Sequence, residues 1–330
     1  TTTSNVVIGN NAGQHLGGSN ADNHANRNVI IGHSAAKGSS PAIAKGHYSV
    51  VIGDQAQYHF KSGSQNVYMG YQSSYYNQNG NYNVTIGSGA GSNATGSSNT
   101  FVGYRSGKGG TTSAPYSSGQ YNTAVGYKAL LGFTTSNYNV AIGYEAGIAV
   151  TTGGSNVFLG GYRAGYANTT GNNNIMIGHL AGGSNVSGDE MVLIGTAAGY
   201  NLNHDTDNDG AVFIGYNAGY NYVSGGGGGV FIGFKAGQMA DAASTNAVEN
   251  VYVGYEAGRF LDDGTNNVAL GQKAMRSIDA DGHNAAHSVA IGFETLYGIT
   301  DGDSNIAIGS SALKTHTTGH SNIAIGKGAM

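Results

Sequence analysis

One short pattern of hydrophobic and polar positions recurs along the chain. In Asn139 to Gly147 it runs as a polar residue, a β-branched residue, a variable residue, an aliphatic residue and a glycine, with a small residue three positions later. A short apolar run closed by glycine is typical of a β-strand, and the glycine density argues against helix. The pattern therefore predicts eighteen strands, which end before Gly9, Gly32, Gly53, Gly70, Gly87, Gly103, Gly126, Gly143, Gly160, Gly178, Gly195, Gly215, Gly233, Gly254, Gly271, Gly292, Gly309 and Gly326.

The spacing of the copies sets the architecture. Successive shared glycines are most often 17 residues apart. A unit this short cannot enclose a core, so each copy must bury its apolar side chains against the copies before and after it. We therefore expect an all-β fold, a β-solenoid of about eighteen short coils, in a single domain that covers residues 1–330. The chain has 58 glycines, but its regularly spaced aliphatic and aromatic residues argue against disorder.

Alternation within the strand separates two faces. Val140 and Ile142 share one side, and Ala141 takes the other. The first position is always Val, Ile or Thr and the third is Ile, Val, Leu or Met, so we expect both to line the interior. The middle position would then face outward as an apolar stripe, which other copies of the chain would cover. The predicted oligomer interface comprises the large middle residues Phe101, Phe158, Leu193, Phe213, Phe231 and Tyr252.

An asparagine precedes most of the strands. Stacked in register, its amide can hydrogen-bond from coil to coil as a ladder and satisfy buried turn backbone. The alternative is that asparagine merely suits a turn. The positions are Asn5, Asn28, Asn66, Asn83, Asn99, Asn122, Asn139, Asn156, Asn174, Asn250, Asn267, Asn305 and Asn322.

An aromatic residue often follows the shared glycine. Stacked coils would arrange these rings in an interrupted row. They can simply cover the corner of each coil, or they can form a platform for sugar rings, because tyrosine offers an apolar face and a polar tip. The candidate ligand-binding residues are Tyr71, Tyr104, Tyr127, Tyr144, Tyr216 and Tyr255.

The strongest metal signal lies in one of the longer connections between strands. Asp205, Asp207 and Asp209 alternate and are followed by Gly210, which places hard oxygen ligands on one side of a tight loop, as in calcium sites. The alternative is a solvated acidic turn. Calcium is the one cofactor that the sequence raises. Histidine pairs such as His283 with His287 fall in predicted turns, where solvated side chains are the simpler interpretation.

Composition narrows the function classes. A net charge of −4 and singly scattered basic residues argue against nucleic-acid binding. The absence of cysteine removes disulfides and thiol chemistry. No apolar run is long enough to span a bilayer, so we expect no membrane insertion. No combination of acidic, histidine and serine residues has the context of a catalytic site, and we expect that the protein is not an enzyme.

The repeated motif resembles that of a known group of proteins. Asn139 to Gly143 reads Asn-Val-Ala-Ile-Gly, and residues 305–309 and 322–326 read Asn-Ile-Ala-Ile-Gly. These runs resemble the head repeats of YadA-like trimeric autotransporter adhesins and are equally similar to the β-roll repeats of bacteriophage tail fibres. The resemblance implies a left-handed β-roll, three parallel chains around one axis and attachment to a surface.

These observations give two expectations for function. The first is a structural or adhesive fibre segment, extracellular on a cell surface or virion, that assembles as a homotrimer and attaches to surface glycans or a host receptor. The second is a filament subunit whose copies stack end to end, because the repeat pattern shows no polar capping coil.

Overall fold

The computed structural model describes residues 4–16, 25–38, 45–111, 113–202, 209–222, 228–239, 248–278 and 283–330. Over these residues the protein is a parallel β-solenoid with eighteen strands and no helix. It forms two compact units, residues 1–161 and 162–330. Each unit is built from the same repeat, and the expectation of a single domain over residues 1–330 stays a prediction.

Every predicted strand is present, and most are three residues long. The first nine are β1 (Val6–Ile8), β2 (Val29–Ile31), β3 (Val50–Ile52), β4 (Val67–Met69), β5 (Val84–Ile86), β6 (Thr100–Val102), β7 (Thr123–Val125), β8 (Val140–Tyr144) and β9 (Val157–Tyr162). The other nine are β10 (Ile175–Ile177), β11 (Val192–Ile194), β12 (Val212–Ile214), β13 (Val230–Ile232), β14 (Val251–Val253), β15 (Val268–Leu270), β16 (Val289–Ile291), β17 (Ile306–Ile308) and β18 (Ile323–Ile325).

Consecutive strands within each unit pair in parallel and in strict register. Ala124 lies beside Ala141, and Phe213 lies beside Phe231, so equivalent positions of the repeat stack directly on one another. Each position therefore forms a row along its unit, and a property shared by the copies becomes a property of a surface.

The shared glycine makes this close stacking possible. Gly103 has φ +129°, a conformation that L side chains rarely adopt. A Cβ at this position would lie 2.5 Å from the carbonyl oxygen of Gly126 in the next coil. The backbones of successive coils therefore touch at this corner, and only glycine leaves room for the contact.

The middle residue of the strand faces inward, which reverses the predicted orientation. It is buried in β2 to β18, while the first and third residues are half-buried or exposed. Alternation was interpreted correctly as two faces, but the wrong face was assigned to the interior. The predicted interface is therefore wrong, because its residues are 0 % exposed within the chain itself: Phe101, Phe158, Leu193, Phe213, Phe231 and Tyr252.

Two positions of each coil fill the interior together, and a large side chain at one is matched by a small side chain at the other. The middle strand residue lies near the residue four positions after the shared glycine. Where the middle residue is Phe213, that second position is Gly219, and a Cβ there would lie 2.5 Å from Cδ2 of Phe213. Where the middle residue is Ala269, the second position is Met275, which is fully buried. Large and small residues thus compensate one another and keep the interior close-packed.

The asparagine ladder is confirmed. The backbone N–H of Asn156 donates to Oδ1 of Asn139 at 3.0 Å, and the Asn139 side-chain amide donates to the carbonyl oxygen of Gly153 at 3.1 Å. Serine can replace asparagine in the ladder, because the backbone N–H of Asn305 donates to Oγ of Ser288 at 3.0 Å. The ladder therefore satisfies buried backbone groups and fixes the register of the coils.

Candidate functional site

The outward residues of the strands form a continuous apolar surface in each unit. We call the first and third residues of every strand the strand face. Met69, Ile86 and Ile142 in the first unit are 37 %, 37 % and 42 % exposed. Ile232 and Ile291 in the second unit are each 37 % exposed. The strand face carries no charged residue in any copy of the repeat. The apolar stripe inferred from the sequence thus exists, but it is built from the aliphatic positions.

The predicted ligand-binding tyrosines lie at one border of the strand face. We call the residue directly after the shared glycine, in each coil, the corner row. Six corner-row residues are 38 % to 51 % exposed, and their role in ligand binding stays a prediction: Tyr71, Tyr104, Tyr127, Tyr144, Tyr216 and Tyr255.

The structure brings most of these rings together as parallel stacks. Tyr127 lies between Tyr104 and Tyr144, with ring centroids 5.4 Å and 5.0 Å away. In the second unit, Phe234 lies between Tyr216 and Tyr255 at 5.2 Å and 5.1 Å. Tyr71 is separated from Tyr104 by the coil that carries Ser88, so the row is interrupted there.

A second set of aromatic residues borders the other side of the strand face in the first unit. These residues directly precede the ladder position. Tyr121 and Tyr138 stack with centroids 5.0 Å apart and planes 2° apart. Tyr48 and Tyr82 occupy the same position and are 55 % and 63 % exposed. Sequence reasoning missed them, although alignment on the shared glycine places all four at equivalent positions.

A further row lies five residues after the shared glycine, and we call it the second row. Tyr58 stacks on Tyr75 at 5.1 Å, and Tyr200 stacks on Tyr220 at 5.4 Å. Their recurrence at a fixed offset was the available sequence signal. Between the corner row and the second row of the second unit lies a groove of about 350 Å³, whose lining residues are His179, Leu180, Thr196, Ala197, Tyr200, Tyr216, Asn217 and Tyr220.

The calcium prediction is only partly within the described residues. Asp205 and Asp207 lie outside them. The Asp209 carboxylate accepts a hydrogen bond from the backbone N–H of Asp189 at 2.7 Å. Among the residues that the structure describes, no group of three or more His, Cys, Asp or Glu side chains could hold a metal ion. Calcium binding by this loop therefore stays a prediction.

Some charged and titratable groups are ion-paired or buried. Glu256 contacts Arg259 at 2.6 Å and Arg276 at 3.1 Å, which joins neighbouring coils in the second unit. Burial raises the pKa of Tyr68 and of Tyr252 well above the usual range of a tyrosine hydroxyl. Partial burial, with the nearby charge of Lys61, lowers the pKa of His59. None of these groups lies on the strand face.

Comparison with known proteins gives no relative. Neither the known family models nor the curated proteins nor the solved structures give a significant match to this chain. In the described residues, no helix has the length and apolar character needed to cross a membrane. Function must therefore be argued from the strand face, the aromatic rows and the groove.

Proposed function

We propose that this chain is a non-enzymatic segment of an extracellular fibre, located on a cell surface or virion, and used for attachment. In this proposal three parallel copies of a left-handed β-roll associate through their strand faces. The observation that carries the proposal is the exposed, uncharged strand face itself. The corner row then presents the surface that contacts a glycan or a host receptor.

The size of the strand face supports association. Nine strands stacked at about 4.8 Å, with outward side chains about 7 Å apart, give a strip of roughly 300 Å² in each unit. A strip of this size equals the largest apolar patch of a typical soluble monomer, and such patches are often interaction sites. Covering it would release free energy in proportion to the area removed from water.

A second copy of the same chain is the simplest partner that could bury the strand face. Every coil offers the same two uncharged positions, which are aliphatic except at Thr100 and Thr123, so a symmetric arrangement buries all copies of the repeat at once. This mainly β-branched surface carries no charge that would need a complementary partner. A homotrimer also agrees with the resemblance of the repeat to trimeric fibre proteins, which supplies the number three and the handedness.

The assembly is tested by measuring particle mass with light scattering after size-exclusion chromatography. We expect three times the 33.5 kDa chain mass. Met69→Lys with Ile86→Lys places two charges on the strand face and should produce monomers. Gln65→Lys with Tyr82→Lys introduces the same charges at exposed positions of the same coils, before the ladder asparagines, and should leave the trimer intact.

The possible results separate the proposal from its alternatives. A wild-type monomer that stays monodisperse at high concentration would contradict it. Fibres that lengthen with concentration in negative stain would favour the end-to-end filament subunit instead. Trimers that persist in the Met69→Lys, Ile86→Lys variant would show that another surface holds the copies together.

Attachment is tested separately on the corner row. Tyr127→Ala with Tyr144→Ala removes two stacked rings and should weaken binding to a glycan array or to host cells. Tyr121→Ala with Tyr138→Ala removes an equally stacked pair on the opposite border and serves as the control. Undiminished binding by the first variant would exclude the corner row of these coils as the platform.

A further inference from the structure

The corner row of the second unit has a gap one ring wide. His179 and Tyr216 occupy this row in the coils on either side of Thr196, which has no ring. His179 stacks on Tyr162 at 5.2 Å, and Tyr216 stacks on Phe234 at 5.2 Å, so stacked rings are present on both sides of the gap. Two coil steps separate the His179 and Tyr216 positions, about 10 Å. A ring inserted over Thr196 would lie about 5 Å from each neighbour, which is a stacking distance.

The gap opens into the groove between the corner row and the second row. The stacked rings of Tyr200 and Tyr220 form the far wall, and Ala197 and Leu180 contribute apolar floor. Backbone hydrogen bonds hold the three coils in register: Ala197 N–H donates to the His179 carbonyl oxygen at 2.8 Å, and Asn217 N–H donates to the Thr196 carbonyl oxygen at 3.0 Å. The groove is thus a fixed part of the solenoid backbone.

We propose that this groove binds one pyranose ring of a neutral glycan, seated over Thr196 between His179 and Tyr216. The apolar face of the sugar would stack on these rings. The inference rests on the proposed attachment function and assigns it a specific site and ligand class.

The chemistry of the lining favours a sugar over other ring-shaped ligands. The Thr196 hydroxyl, the Asn217 amide, the His179 imidazole and the hydroxyls of Tyr200 and Tyr220 are polar groups that hydrogen-bond to hydroxyls. An aromatic side chain from a protein partner would leave these groups without new partners. None of the lining residues is an acid, a lysine or an arginine, which favours a neutral ligand. Apolar faces with a few polar groups are typical of small-ligand sites.

The same row offers a matched control site. Ser88 interrupts the corner row of the first unit between Tyr71 and Tyr104. The positions equivalent to Tyr200 and Tyr220 are Ser92 and Lys108 there, and Tyr75 in the coil of Tyr71 is the one second-row ring beside this gap, so the stacked aromatic wall is absent. Filling this gap alters the row in the same way but leaves the proposed groove untouched.

The test uses the full chain and the probes cellotetraose, mannotetraose and chitotetraose, measured by saturation-transfer NMR and calorimetry. We expect at least one of them to bind. Thr196→Tyr should complete the row, as Tyr127 does between Tyr104 and Tyr144, and weaken that binding by at least about tenfold. Ser88→Tyr should leave the affinity unchanged. Thermal unfolding of both variants checks that the solenoid is intact.

Each result decides the inference. Binding by none of the three probes at millimolar concentration overturns it, and so does equal binding by wild type and a folded Thr196→Tyr variant. Stronger binding of a phenylalanine-rich peptide than of the sugars would assign the groove to a protein partner and also overturn it. The trimer mass is measured independently, so a failed glycan experiment on an intact trimer removes this site and leaves the proposed assembly standing.

Discussion

The ring of Phe213 stacks on the ring of Phe231 in the next coil, with centroids 4.7 Å apart and planes 3° apart. Tyr222 meets both rings edge-on, at 5.2 Å and 5.1 Å. All three side chains are fully buried. An aromatic core runs through these coils, and offset or edge-on contacts of this kind add to the free energy of burial.

Truncating the core ring should affect stability rather than assembly. Phe231→Ala removes a fully buried ring and should lower the free energy of unfolding by about 3–5 kcal/mol. Ile232→Ala, at the next residue on the exposed strand face, should cost much less stability but weaken association. Denaturant unfolding and particle mass measure the two effects. The reverse result, lost assembly for Phe231→Ala with unchanged stability, would restore the outward orientation of the middle position.

Adding a methyl group at the shared glycine should be costly. Gly103→Ala combines the positive φ with the close approach to the Gly126 carbonyl, and we expect a loss of at least about 3 kcal/mol. Gly161→Ala is the control, because a Cβ there has nothing within 4 Å. Thermal unfolding compares the two variants. Equal midpoints for both would show that successive coils do not approach as closely as described.

The ladder predicts a graded effect of substitution. Asn139→Ala leaves the Asn156 N–H and the Gly153 carbonyl oxygen without their partner and should lower stability by about 1–3 kcal/mol. Asn139→Ser should recover part of the loss, since Ser288 already serves as a rung for Asn305. Unfolding midpoints of the two variants measure the difference. If serine is no better than alanine, the turn preference of asparagine would explain its recurrence.

Buried tyrosines should make the fold sensitive to alkaline pH. The pKa of Tyr68 and of Tyr252 is raised in the folded state, so the unfolded chain releases these protons first, near pH 10. The stabilising contribution is complete below pH 10 and is lost as the pH rises further, by up to about 1.4 kcal/mol per pH unit for each tyrosine.

The measurement compares unfolding midpoints at pH 8 and pH 11. Tyr68→Phe with Tyr252→Phe should lose less stability between the two pH values than wild type does. Tyr82→Phe with Tyr138→Phe removes two exposed hydroxyls and is the control. An identical pH dependence for all three proteins would contradict the assignment of the alkaline loss to the buried pair.

Local features of the repeat could be predicted from the sequence because they depend on neighbouring residues. Val84 to Ile86 forms a strand, Gly87 closes it, and Asn83 joins the ladder, each for reasons of local geometry and hydrogen bonding. Which side of the strand faces inward is different, because alternation separates two faces without saying which is covered. The uniform aliphatic positions resembled a core, yet they form the flat outer surface.

The chain does contain a signal for the correct orientation. Large middle residues such as Phe101 and Phe231 are paired with glycine at Gly107 and Gly237, four positions after the shared glycine. Alanine in the middle position, as at Ala124, is paired with Leu130. Two positions whose side-chain volumes vary inversely must lie in the same interior. The groove over Thr196 could not be found in this way, since it depends on the depth between two rows.

The inverse relation between the side-chain volumes of these two positions gives the sharpest test of how the core is packed. Phe213→Ala should lower the free energy of unfolding by about 3–5 kcal/mol, because it leaves a cavity. Gly219→Leu alone should also destabilise, since the new side chain would overlap the Phe213 ring. Together they reproduce the pairing of Ala124 with Leu130, whose φ of 50° shows that leucine is accommodated in this conformation.

The double variant should therefore be more stable than the sum of the two single losses predicts. A double-mutant cycle on denaturant unfolding measures the coupling, which should be at least about 1 kcal/mol for residues in contact. Phe213→Ala combined with Gly237→Leu is the control, because Gly237 faces Phe231 and a leucine there would remove no cavity. Additive losses in the first pair would mean that the two positions do not fill a common space, and the inward assignment of the middle strand residue would fail with them.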